Sequence, residues 1–190
     1  MAELTPELQA VAEELESARR HAHRLAESAS VDAWAAEPEA GAWSVAECIQ
    51  HLNLTSEAYL PFLRTALEDA RRAGRTRRGR HRIDAIGRLF CWLLEPPARM
   101  RVKTPPRFVP PEAPPRDRVL GDFDRHQDEI ASLLPAADAL DLTGIKVKSA
   151  FSKRIRYNVY STYKILTAHQ RRHLWQADRT LARVSGAAEA

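Results

Sequence analysis

Two histidines near the end of the chain have the spacing of metal ligands carried on one helix. His169 and His173 stand four residues apart in LTAHQRRHLWQADRTL, residues 166–181. At that spacing two side chains share a helix face at about 6 Å, close enough for both imidazoles to bind one ion at about 2.0–2.1 Å. Gln170 stands where HExxH zinc proteases carry their catalytic glutamate, which excludes that class. A pair on an arginine-rich helix is more often solvated, so a site needs a third ligand.

A third histidine lies early in the chain, in another amphipathic segment. His51 follows Ser44 by two helical turns in SVAECIQHLNL and flanks the apolar positions Cys48 and Leu52, so it can point into a bundle. One inward histidine facing a pair on another helix supplies three nitrogen ligands. Three protein ligands with one open position are typical of catalytic metal sites rather than closed structural ones. The alternative is a histidine at the core edge, bonded to a carbonyl or hydroxyl.

Further side chains near these histidines have two interpretations each. Glu47 could be a fourth ligand or a base, but with Ser44 it also forms the S-x-x-E capping box, which is the favoured interpretation. Gln176, one turn beyond His173, either orients a ligand or a bound water by a hydrogen bond or is simply exposed. Cys48 could place a thiolate near the ion, although a core position is favoured. The remaining histidines show no matching pair and are predicted to be solvated: His21, His23, His81 and His126.

The first half of the chain predicts two long helices from the period of its apolar residues. The first begins at Thr5-Pro6, a hydroxyl cap followed by proline at the first helical position. The second begins at the capping box, with Trp43 packing on Cys48 as a staple and with Pro61 kinking the helix or displacing one hydrogen bond. The predicted core positions are Leu8, Val11, Leu15, Ala18, Ala22 and Leu25, then Cys48, Leu52, Thr55, Tyr59, Phe62 and Ala66.

The second half adds a short helix, an arm and two further long helices. Residues 83–95 form a short amphipathic segment that ends at two prolines, and residues 104–115 hold six of the twelve prolines. That proline density predicts an extended, polyproline-like arm along the surface. A third long helix carries residues 119–133, and the last runs from about 158 to 183 before a frayed tail. Between them, an extended piece is predicted around 145–147.

These elements predict an all-α protein: a four-helix bundle with a proline-rich extended arm and one extra short helix. With 190 residues, one domain over 1–190 with its core at about 5–183 is expected. No apolar run approaches the roughly 18 residues of a membrane span. The acidic start MAELTPELQ resembles no secretory signal, and two isolated cysteines indicate a reducing compartment. A cytoplasmic protein is therefore expected.

The charge is concentrated in one segment. The net charge is +4, but residues 71–82 contain seven arginines and no acid, which leaves −3 for the rest of the chain. Clustered arginine can follow a phosphate backbone. This segment has no interleaved aromatic residue for base stacking, and Gly74 and Gly79 indicate a mobile, solvated loop instead. Nucleic-acid binding is therefore not expected.

Two short motifs resemble the DinB/YfiT-like superfamily when taken together. They are W-S-x-x-E-x-x-x-H-L in the second helix and A-H-x-x-R-H-L-x-Q in the last. This resemblance implies a four-helix bundle, often dimeric, with a divalent ion held by His51, His169 and His173. Characterised relatives include transferases and isomerases that use bacillithiol or mycothiol, and others are presumed metal-dependent hydrolases.

The resemblance leads to one main functional expectation and one alternative. The first is a metal-dependent enzyme, a thiol-dependent S-transferase or a hydrolase, acting on a small molecule. Its ion would be zinc or nickel first, then iron or copper, and its partner a low-molecular-weight thiol for which Arg172 offers a cationic contact. The alternative is a non-catalytic, metal-binding bundle that dimerises.

Overall fold

Four long helices make up most of the protein. The structure, a computed structural model, describes residues 4–97, 99, 103–111, 114–152 and 154–188. The long helices are α1 (Pro6–Ser28), α3 (Val45–Arg72), α5 (Arg116–Ser132) and α7 (Val159–Ala188). The shorter elements are α2 (Val31–Ala35), α4 (Ala85–Leu94), a 3₁₀ turn (Pro106–Phe108), α6 (Leu134–Asp138), β1 (Lys146–Lys148) and β2 (Arg156–Asn158).

The long helices pack as a bundle in which α1 and α3 each contact both α5 and α7. The strands β1 and β2 form an antiparallel pair with Val147 opposite Tyr157, and α4 lies against α7 and β2. The all-α bundle with an extra short helix is therefore confirmed. Among the described residues, no helix is both long and apolar enough to cross a membrane.

Local sequence accounts for the start and the buried face of α3. Ser44 Oγ accepts a hydrogen bond from the Glu47 amide at 3.2 Å, and the Glu47 carboxylate accepts one from the Ser44 amide at 2.8 Å. This is the predicted capping box, and α3 continues through Pro61 as an unbroken helix. One predicted core position of α3, Phe62, was wrong. Phe62 is 41% exposed and Leu63 is fully buried instead, because the apolar face rotates with the 3.6-residue period.

The short helix α4 is fixed to the start of α7 by one carboxylate and one glycine. Asp84 caps α4 by accepting from the Gly87 amide at 2.8 Å, and its other oxygen accepts from the Asn158 amide at 2.8 Å. A Cβ at Gly87 would lie 2.3 Å from Ser161 Oγ, so only glycine allows this approach of the two helices. The contact sets the distance between α4 and α7.

Two apolar clusters fill the bundle, and buried polar side chains lie between them. One cluster includes Tyr59, Leu63 and Ile130, and the other includes Leu52 and Phe123. Between them along α3, α5 and α7 lie buried polar residues: Asn53, Thr55, Ser56, His126, Gln127, Thr167, His169, Gln170 and His173. Buried polar groups are costly unless partnered, so this layer is the part of the core where function is most expected.

Three predicted details differ from the structure. The proline-rich arm forms a 3₁₀ turn whose Phe108 is 1% exposed, so the arm enters the core instead of only following the surface. Residues 112 and 113 of that arm lie outside the described residues. The last helix continues to Ala188, where a frayed tail was expected. The five-residue helices α2 and α6 were not predicted, because such short segments carry too few turns for a periodic signal.

Candidate metal centre

The three histidines predicted as ligands lie together in the middle of the bundle. His51 comes from α3, and His169 and His173 come from successive turns of α7. Their side-chain nitrogens include a set of three that all lie within 4.8 Å of one another. The residues are only 2%, 6% and 8% exposed, respectively. The cap at Ser44 sets the phase of α3 that turns His51 towards α7.

A main-chain carbonyl fixes the orientation of His51. The Nδ1 atom of His51 lies 2.7 Å from the carbonyl oxygen of Phe108 in the 3₁₀ turn. Because a carbonyl only accepts, Nδ1 must carry the proton and donate it. The Nε2 atom then has a free lone pair, and it faces His169 Nε2 at 3.2 Å. Such a carbonyl contact is the usual way in which proteins orient a metal-binding histidine.

Burial keeps the three imidazoles neutral. Desolvation lowers the pKa of His51, although the hydrogen bond to the Phe108 carbonyl opposes the change. Desolvation lowers the pKa of His169 and His173 still further, and the neighbouring histidines and Arg172 add to the effect. Neutral imidazole is the form that binds a metal ion. The three histidines are thus already in the protonation state that binds a metal ion.

The histidine cluster has the donor atoms and the spacing that a divalent ion requires. In a tetrahedral site with metal–nitrogen bonds of 2.0–2.1 Å, ligand nitrogens lie about 3.4 Å apart. The 3.2 Å between His51 Nε2 and His169 Nε2 is close to that spacing. The donor set is also one that zinc, nickel, copper and iron accept.

The histidines open onto a large cavity. Its volume is about 870 Å³, and all three rings contribute to its wall. Phe90, Leu93 and Leu94 of α4 also line this cavity. A structural metal site is closed by protein ligands, whereas a site with a cavity on one side keeps a coordination position accessible.

Aromatic rings surround the histidines, and sequence reasoning did not assign them to the site. The ring of Trp43 lies 4.8 Å from that of His51 and 5.6 Å from that of His173, centroid to centroid. The ring of Phe151 lies 5.7 Å from that of His169. Trp43 belongs to the quoted W-S motif, so that motif was an available signal. Phe151 and the Phe108 carbonyl had none, because both reach the site from irregular segments.

The residues proposed to support the ligands behave differently from one another. Glu47 is engaged by Ser44 in the capping box, as favoured from the sequence. Gln176 lines the cavity, and as a hydrogen-bonding neighbour it raises the pKa of His173 against the larger lowering by burial. Cys48 is fully buried beside the apolar cluster, and burial raises the pKa of its thiol. Trp43 packs against the same cluster, consistent with the predicted staple.

Two of the four histidines predicted to be solvated are buried, so that prediction was wrong for them. His81 is 5% exposed and stacks on Tyr160, and His126 is 1% exposed beside Asn53. His126 lies on α5 and His81 in the segment before α4, and in neither place can a single buried polar residue be told from a surface residue without knowing the packing. The other two, His21 and His23, are partly exposed and contact aspartates of neighbouring helices.

The arginine-rich segment lies away from the cavity. Most of its arginines are exposed, as predicted, and Arg80 pairs with Glu7. The main chain is held more firmly than a mobile loop would be. The Arg77 amide donates to the Ala139 carbonyl at 2.9 Å, and the Asp141 amide donates to the Arg75 carbonyl at 3.0 Å.

The fold and the site together define a class: a helical-bundle protein with a candidate three-histidine metal centre open to a cavity. The family model described as the DinB superfamily matches residues 14–177. That match covers most of the chain, which therefore belongs to the DinB superfamily. No curated protein and no solved structure matches the chain.

Proposed function

We propose that the protein is a divalent-metal-dependent enzyme whose ion is held by His51, His169 and His173. The observation that carries the proposal is that three buried, neutral imidazoles converge on the wall of a cavity of about 870 Å³. A divalent ion held by three such ligands lowers the pKa of a water or thiol so that the anion is available near neutral pH. Zinc and nickel are the preferred ions, with iron and copper as alternatives.

The reaction is proposed to be thiol-dependent S-transfer or hydrolysis with an external nucleophile, because no cysteine is among the described residues that line the cavity. Burial raises the pKa of Cys48 strongly and that of Cys91 to about 11. Neither thiol is therefore ionised near neutral pH, and thiolate is the reactive form. A low-molecular-weight thiol or a water molecule entering the cavity would fill that role.

The chain's own residues would hold and shape the reaction site. The Phe108 carbonyl keeps the Nδ1 proton on His51 and leaves Nε2 as a ligand. Gln176, a hydrogen-bonding neighbour of His173 on the adjacent turn of α7, would orient that ring or a bound water. Trp43 covers one side of the histidines and, with the apolar wall of α4, limits the access of bulk water. Excluding water strengthens the electrostatic effect of any cation at the site.

The second candidate is a non-catalytic metal-binding bundle that dimerises. Its dimerisation is supported by the outward face of α4, where Ile86, Leu89 and Trp92 are 42%, 53% and 55% exposed. An apolar patch of this kind often marks an association surface. A homodimer through α4 is compatible with either candidate.

A cytoplasmic location is supported by the two free cysteines.

The test compares turnover with metal binding in the same preparations. Protein made without a histidine tag is loaded with zinc or nickel and assayed for transfer of small thiols to an aryl electrophile and for ester hydrolysis. We expect turnover that disappears with chelator and in His169→Ala, and persists in His23→Ala, a variant of a histidine outside the cluster. A metal-dependent rise in melting temperature without either activity would favour the second candidate.

A further inference from the structure

One face of α7 presents a row of arginine side chains that begins beside the histidines and follows the cavity. Arg172, Gln176, Arg179 and Arg183 all line the cavity and follow one another at spacings of four, three and four residues. That spacing places them on a single helix face. At 1.5 Å per residue, Arg172 and Arg183 are about 16 Å apart along the axis. The face therefore runs from the buried three-histidine cluster to the exposed Arg179 and Arg183.

The cavity wall has an excess of positive charge. Its cationic residues are Lys103, Arg172, Arg179 and Arg183, whereas Glu39 is the one carboxylate among the described residues that line it. The guanidinium of Arg179 lies over the ring of Trp175, 5.2 Å from its centroid, and this stacking restrains the side chain. Several cations in a concave wall attract an anion more strongly than the same charges spread over a convex surface.

Not every arginine of α7 faces the cavity. Arg171 adjoins Arg172 in sequence, but its side chain contacts the carboxylates of Glu14 and Glu95. Its charge is thus neutralised within the protein. Neither Arg179 nor Arg183 forms a salt bridge with a described carboxylate.

Part of the cavity wall is apolar. Phe90, Leu93 and Leu94 line the cavity from α4, and the Asp84 cap and the Gly87 contact fix that helix against α7. A molecule in the cavity would therefore have both hydrocarbon and guanidinium groups available to it. Ligand sites typically combine apolar walls with a few polar groups that set orientation.

We propose that the cavity binds an amphipathic organic anion. Its apolar part lies against Phe90, Leu93 and Leu94, and its carboxylate or phosphate group lies at Arg179 and Arg183. The inference rests on the proposed function in taking this cavity as the substrate site, and it adds the chemical class of the substrate or cosubstrate. A neutral apolar molecule would leave the cations without an anion, and a cationic one would be repelled.

The test is a calorimetric titration with four matched probes: phenylbutyrate, phenylbutyl phosphate, phenylbutanol and phenylbutylamine. We expect one or both anions to bind more tightly than the alcohol and the amine, and the two anions to show which group is preferred. The double variant Arg179→Gln/Arg183→Gln should weaken anion binding by about tenfold, equivalent to about 1.4 kcal/mol. The control Arg88→Gln/Arg118→Gln removes the same charge from exposed positions outside the cavity and should bind as the wild type does.

Three results would overturn the inference: the alcohol binding as tightly as the anions, equal losses in both double variants, or no binding of any probe. Repeating the titration with chelator and with His169→Ala separates the arginines from the metal ligands. Anion binding that depends on the arginines and survives in His169→Ala supports the inference. Arginine-dependent binding in a protein that takes up no metal would reject the proposed function alone. Metal uptake without anion preference would reject this inference alone.

Discussion

The Nε2 atoms of His51 and His169 lie 3.2 Å apart, although 118 positions separate the two residues in the chain. His51 donates its Nδ1 proton to Phe108, so its Nε2 presents a lone pair to the neighbouring ring. A single proton could bridge these two nitrogens. The same proton could not also reach the third ring, that of His173, which lies just as near. The centroids of the His51 and His173 rings are 4.4 Å apart. A cation can bind three lone pairs at once, which is why we favour an ion at this position.

The contact between His51 and the Phe108 carbonyl predicts that Phe108→Ala weakens metal binding. Phe108 is buried against Phe151, with ring centroids 4.6 Å apart, so removing its ring loosens the turn that holds the carbonyl. Losing such an orienting partner lowers metal affinity by about 10- to 100-fold. Competition with a chromophoric chelator measures the affinity, and circular dichroism checks that the variant is folded. Val109→Ala, at the exposed neighbouring position, is the control. An unchanged affinity in folded Phe108→Ala would show that the carbonyl does not orient the ligand.

The close approach of α4 to α7 predicts opposite effects for two glycine substitutions. Gly87→Ala should destabilise the protein by about 1–3 kcal/mol, because the new Cβ would lie 2.3 Å from Ser161 Oγ. Gly121→Ala, in α5, meets nothing within 4 Å and should stabilise by about 0.4–1 kcal/mol. Urea unfolding measures both. Equal effects of the two substitutions would mean that α4 does not depend on the glycine contact.

The periodic signals of the sequence predicted the bundle well, and their limits explain the errors. All six predicted core positions of the first helix are buried, and the cap at Ser44 has the expected hydrogen bonds. The burial of His126 could not be predicted, because it depends on which helices meet at that position. The contact of the Phe108 carbonyl with His51 could not be predicted either, because residue types do not show which main-chain atoms will face a site. Trp43 was the exception, because the quoted motif already contained it.

The buried histidine His126 predicts a loss of stability in acid. Desolvation, helped by the charge of Arg125, lowers its pKa in the folded protein. Below about pH 6.5 an unfolded histidine binds a proton while folded His126 stays neutral. Unfolding then takes up a proton, and the free energy of unfolding falls as the pH falls. His126→Gln should reduce this slope by up to about 1.4 kcal/mol per pH unit.

Urea unfolding of wild type and His126→Gln at pH 7 and pH 5 measures the difference between the slopes. A uniform change in stability at both pH values has no bearing on this prediction. Identical slopes in the two proteins would mean that His126 titrates alike in the folded and unfolded states.

The metal content of untagged protein tests the central claim most directly. Elemental analysis compares five proteins that are prepared in the same way. They are the wild type, His51→Ala, His169→Ala and His173→Ala, with His23→Ala as a control outside the cluster. We predict about one divalent ion per chain in the wild type and the control, and its loss in the three cluster variants, because two remaining imidazoles hold an ion far less tightly than three. Equal metal content in all five proteins would contradict a shared site at His51, His169 and His173.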